Sequence, residues 1–131
     1  MTSVAEKVTG VGGVFLRGRD ADKLRGWYAT NLGVDLDPNY GGAQLGPSGD
    51  GMVTWAIFSH DSEYLGRLEQ AVMINYRVAD LDAMLAQLRA AGADVDEAIE
   101  ETPEGRFGWA TDPEGNRFEL WQPPAALGTE E

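Results

Sequence analysis

One glutamate is placed for acid–base chemistry. In the run Asn116–Gln122, alternation sends Phe118 and Leu120 to one side and Arg117, Glu119 and Trp121 to the other. The same period in Met73–Val78 gives Ile74, Tyr76 and Val78 to the apolar side and Met73, Asn75 and Arg77 to the opposite one. A matching earlier stretch places Gly13, Phe15 and Arg17 there as well. Aromatic walls from Phe15, Trp55, Trp109 and Trp121, with Arg17, Asn75, Arg77, Arg117 and Glu119 among them, have the make-up of a small-molecule site: apolar surface with a few converging polar groups. A carboxylate in that setting can take a proton from an acidic C–H beside a carbonyl, with Arg17 or Arg77 stabilising the oxyanion.

Each of these side chains has a structural alternative. Glu119 between arginines can be an ion pair that closes the sheet, and a buried carboxylate needs a partner in either role. Arg17 and Arg77 can pair with acidic residues across the seam between two halves of the chain. The tryptophans can be core.

Other chemistries are excluded. The chain has no cysteine, so disulfides, thiolate metal sites and a cysteine nucleophile are absent. The single histidine, His60, stands beside Asp61 at the end of a strand pattern, where a solvated loop is expected; no Ser–His–Asp set is available. Gly10-Val11-Gly12-Gly13 leads into a strand and lacks the lysine of a phosphate-cradling loop. Acidic residues outnumber basic ones 22 to 10, a formal charge of −12 that repels phosphate backbones and anionic lipid. Nucleic acid and membrane are therefore poor partners, while a cationic ligand is favoured unless the charge serves solubility alone. No apolar run approaches the roughly 20 residues that cross a bilayer. Met1–Lys7 lacks a basic, then apolar, leader pattern, and a cytoplasmic location is the expectation.

The elements that must position these residues come in duplicate. Val14–Asp22 matches Ile74–Asp82 at an offset of 60, each with Arg followed by x-x-Asp-x-Asp. Asp20 and Asp80 stand where helix N-caps are wanted, and Gly33 and Gly92 where helices end. Leu24, Trp27, Tyr28 and Leu32 form one helical stripe, and Leu81, Met84, Leu85 and Leu88 the other. Strands are expected around Gly42–Leu45, Met52–Ser59, Phe107–Thr111 and Asn116–Gln122, with Asp112–Asn116 as a hairpin turn. Pro38–Gly51 should hold a loop and Tyr64–Gln70 should link the halves. The reading is a single α+β domain over 1–131: two βαβββ modules (about 10–60 and 70–123) form a curled mixed sheet with helices outside, an open central cup and a flexible tail, 124–131.

That order resembles the vicinal-oxygen-chelate, or glyoxalase/bleomycin-resistance/dioxygenase, superfamily. Gly13–Arg17 through Gly33, Met73–Asp82, and above all Gly105-Arg106-Phe107 through Asp112-Pro113-Glu114-Gly115-Asn116-Arg117-Phe118-Glu119-Leu120-Trp121 are similar to its motifs. The resemblance implies one metal ligand from each of four strands. The matching positions hold Gly13, Met73 and Trp55 or its neighbours, none of them suited, and Glu119, which alone keeps a ligand type. No metal or other cofactor is therefore expected. The resemblance leaves three functions open: a metal-free binder of small molecules, of the drug-sequestering kind; a lyase or isomerase with Glu119 as general base; and a regulatory module without chemistry. It also implies a homodimer, as relatives commonly form.

Overall fold

The computed structural model describes residues 5–47 and 51–124. The expected loop Pro38–Gly51 lies in part outside the described residues, and so does the expected tail apart from Pro124. The elements are β1 (Val8–Gly18), α1 (Ala21–Leu32), β2 (Gly42–Leu45), β3 (Val53–Ser59), β4 (Val72–Val78), α2 (Leu81–Ala90), β5 (Asp94–Val95), β6 (Glu100–Thr102), β7 (Gly105–Thr111) and β8 (Arg117–Gln122). The fold is α+β with both parallel and antiparallel strand pairs. Three strands lie between the two helices, the third of them leading into α2, and four follow α2, two of those being very short. Among the described residues no helix is long and apolar enough to cross a membrane. The chain divides into two compact units, Val11–Asn75 and residues 76–124 with 5–10.

In the unit Val11–Asn75, β3 pairs parallel with β1 and antiparallel with β2. The register sets Val14 beside Trp55 and Leu16 beside Ile57, which makes this the face under α1. Ala43, Trp55 and Ile57 are buried there, with Leu16, Leu24 and Tyr28 packed on them. Asp20 caps α1 by accepting the N–H of Lys23, and Gly33 closes it at φ 68°, a left-handed conformation that costs glycine little. No residue of α1 is fully buried, so apolar packing holds it weakly. Arg25 adds the tie, donating to the carbonyls of Gly41 at 3.2 Å and Ile57 at 2.9 Å. Gly42 is dictated by proximity: a Cβ there would lie 2.0 Å from the carbonyl oxygen of Trp55.

In the other unit, β7 pairs antiparallel with β8, β5 and β6. Leu81, Met84 and Leu85 of α2 pack with Val78 and Leu120 into the core, and Tyr76 and Phe118 border it. Asp80 caps α2 by accepting the N–H of Ala83, as its position implied. At the other end Ala91 is the cap residue and Gly92 follows it at φ 84°, the left-handed position where a helix-ending glycine belongs, with the N–H groups of Gly92 and Ala93 donating back to the carbonyls of Arg89 and Leu88. The turn from β7 to β8 forms around Asp112, whose carboxylate accepts the N–H groups of Glu114 and Asn116, each at 2.9 Å.

That turn ties stability to acidity. The backbone N–H and the side chain of Asn116 hold the Asp112 carboxyl below the ordinary carboxylate range, and Arg106 does the same for Asp82 through its guanidinium hydrogen bonds. A lowered folded value lends stability that is complete above the unfolded value, near about pH 4, and is lost as pH falls through the folded one. Asp112→Ala should therefore flatten the acid limb of a stability–pH curve measured by urea unfolding, with its whole deficit visible at neutral pH. In the core, Leu85→Ala should cost about 2–5 kcal/mol in the same assay.

Candidate functional site

The β7–β8 register decides what the face opposite α2 presents. Gly108 pairs with Leu120 and Ala110 with Phe118 on the helix side; Phe107 pairs with Trp121, Trp109 with Glu119 and Thr111 with Arg117 on the other. Strand parity therefore placed Arg117, Glu119 and Trp121 on the correct side. Glu119 is 1% exposed, the most buried carboxylate among the buried polar residues, and its Oε2 accepts the indole N–H of Trp109 at 3.0 Å. A charge-assisted bond of this kind offsets part of the cost of taking a carboxylate out of water.

The arginines on this face are engaged with the protein itself. Arg117 donates to Asp96 Oδ2 at 2.8 Å, and its guanidinium lies 5.5 Å from the centre of the Trp109 ring. Arg77, itself buried, lies 5.0 Å from the centre of the Trp121 ring. The Trp121 N–H donates to the Glu104 carbonyl at 2.8 Å, and its ring runs parallel to Phe107 at 6.0 Å. Phe107 was not anticipated; the hairpin turn, once its register was counted, would have paired it with Trp121.

In the unit Val11–Asn75, Phe15 meets Phe58 edge-on at 5.7 Å, and Phe58 stacks on Tyr64 at 5.2 Å. Thr54, opposite Gly13 in the register, exchanges hydrogen bonds with Gln44, which also donates to the Tyr40 hydroxyl at 3.1 Å. None of these polar residues was singled out from the sequence, because Trp55 was given their face. Trp55 is the correction: the parallel register sets it beside Val14, and Tyr28 of α1 packs edge-on to it at 5.0 Å, so it belongs to the core under the helix. Met73 and Asn75 are buried on β4.

Arg17 spends its guanidinium on the main chain of the linker. Its guanidinium donates to four main-chain carbonyls, those of His60, Ser62, Arg67 and Gln70, at 2.6 to 3.0 Å. A planar fork with five donors suits this work, and it organises the 60–70 linker that carries Tyr64. His60 itself is exposed in the turn after β3. The neighbouring Asp61 carboxyl is held low, chiefly by the Ser59 hydroxyl and then by the chain's own N–H, His60 and Arg17.

The donor set of the superfamily's metal does not fit these residues. Gly13 offers no donor, and a Cβ added there would sit 2.9 Å from the Phe15 ring and 3.2 Å from the Thr54 carbonyl, so a side chain there would require that ring to shift. Met73 is a buried thioether, Trp55 is core, and Glu119 is a single carboxylate bonded to an indole. Among the described residues no group of three or more His, Cys, Asp or Glu gathers as a metal site. An open depression of about 440 Å³, lined by residues 91–94 and 111–113, includes none of the ligand-binding or catalytic residues expected from the sequence.

The glyoxalase-like domain family matches residues 13–121. No curated protein matches the sequence. Among solved structures, the methylmalonyl-CoA epimerase from Mycobacterium tuberculosis is 23% identical over 95% of this chain and 94% of its own, with a TM-score of 0.61. A variant of the Streptomyces coelicolor methylmalonyl-CoA epimerase, in complex with 2-nitronate-propionyl-CoA, is 20% identical over 91% of this chain and 100% of its own, at 0.66. A methylmalonyl-CoA epimerase in complex with methylmalonyl-CoA and NH4+ is 19% identical over 91% and 97%, at 0.63. At these identities the likeness to solved structures speaks for the fold.

Arg17→Met should raise amide hydrogen exchange across residues 60–70 by about tenfold or more, since each carbonyl bonded to a charged donor is worth about 1.5–3 kcal/mol. Lysine, with a point charge in place of the fork, should restore little of it.

Proposed function

The chain belongs to the glyoxalase-like domain family of the vicinal-oxygen-chelate superfamily, and from that premise we propose that it is a small-molecule-binding protein that works without the family's metal centre. The observation that carries this reading is Glu119: a carboxylate buried on an ordered strand, held by an indole N–H, on a face whose other members are aromatic rings and arginines. The face is amphipathic, with Trp109 and Glu119 buried and Phe107, Arg117 and Trp121 part-exposed around them, the mix of apolar surface and few polar groups that suits a small organic molecule.

The arrangement narrows the ligand. Trp109 and Trp121 each carry one of the chain's own guanidiniums over the ring, so these rings are not vacant seats for a cationic drug. An oxygenated molecule that can use a carboxylate and an arginine suits the face better. This favours the second reading, a lyase or isomerase, for which the same residues supply the parts. Glu119 would accept the proton from a carbon beside a carbonyl, and the electron pair would move into that carbonyl. Arg77, buried and over the Trp121 ring, is the arginine of this face assigned to the resulting oxyanion. A homodimer and a cytoplasmic location complete the proposal.

The similar structures supply a first probe. In D2O with chelator present, the protein should incorporate deuterium beside the thioester carbonyl of methylmalonyl-CoA, and Glu119→Gln should slow this at least about 100-fold while circular dichroism stays unchanged. Binding seen by tryptophan fluorescence without exchange would leave the binder and remove the enzyme. Exchange that needs added Ni²⁺ or Zn²⁺ would overturn the metal-free reading.

A further inference from the structure

We propose that Trp109 is a positioning residue for Glu119, and that the Arg117–Asp96 ion pair holds and polarises the indole for that task. The inference rests on Glu119 being the centre of the site, but its parts are independent of any ligand.

Asp96, just beyond β5, grips Trp109 from two sides. Its backbone N–H donates to the Trp109 carbonyl at 2.9 Å, while its carboxylate accepts from Arg117 at 2.8 Å. Arg117 in turn lies over the Trp109 ring. The Asp96 carbonyl accepts from Arg89, on the last turn of α2, at 3.0 Å, so the grip is anchored to the helix. Main chain and ring of one tryptophan are thus fixed by a single aspartate.

The ion pair is too exposed to matter much for stability, with side chains 21% and 35% accessible. Its effect is on the ring beneath. A cation over the π face draws electron density from the indole and makes its N–H a stronger donor. That N–H points at Glu119, in a place where Trp109 is 6% exposed and water competes poorly. A glutamate has rotamer freedom to lose, and a fixed, strengthened donor on the neighbouring strand selects one orientation of its carboxylate.

The test is the indole N–H resonance of Trp109 in the full ¹⁵N-labelled chain without ligand, assigned by its loss in Trp109→Phe. Glu119→Gln should move it upfield. Arg117→Met should move it the same way and speed exchange of that hydrogen with solvent about tenfold. Arg117→Lys should recover part of both, and Asp96→Asn, which breaks the ion pair from its other end, should act as Arg117→Met does. The remaining indoles should stay in place, a pattern that general loosening would not give. If Glu119→Gln leaves the resonance where it was, Trp109 does not position Glu119. If only the Arg117 and Asp96 variants are silent, the ion pair has no part in it. A silent exchange assay with the resonance pattern intact sinks the functional reading and leaves this one standing.

Discussion

The β7–β8 hairpin register is the constraint from which the candidate site follows. Because Trp109 faces Glu119 across two antiparallel strands, a carboxylate in a nearly dry environment receives an N–H whose position the backbone ladder fixes. Shifting the pairing by one residue would exchange the two faces, placing Glu119 against α2 and Leu120 opposite the rings. The turn at Asp112 sets that register, and α2 defends it by burying Leu120.

Arginine is the residue type the protein uses most variously. Arg17 organises a linker through carbonyls, Arg25 fastens a helix whose apolar packing is thin, Arg106 pairs with Asp82 and Glu101, and Arg77 and Arg117 lie over tryptophans. In a chain with a formal charge of −12 this is not a reservoir of free positive charge. Each guanidinium treated above is engaged with a carbonyl, a carboxylate or a ring.

Several separate features set the residues at the superfamily's ligand positions apart from its usual metal donors. A glycine stands on the first strand with a phenylalanine ring folded back over it, a thioether stands on β4, and the carboxylate that remains is bonded to an indole.

Much was legible in the chain itself. Period-two alternation assigned the faces of β4 and β8, cap chemistry marked Asp20, Asp80 and Gly33, and the Asp112–Asn116 run gave the turn, because these depend on neighbours a few residues apart. The identities of the residues at the superfamily's ligand positions are likewise a property of the sequence alone. What needed the tertiary structure was long-range pairing. The parallel match of β1 with β3 put Trp55 in the core, and the linker's return past β1 spent the Arg17 donors on its carbonyls. The closure of Asp96 onto Trp109 and Arg117 was likewise out of reach. Alternation along one strand fixes which residues share a face; only packing between distant segments decides what that face meets.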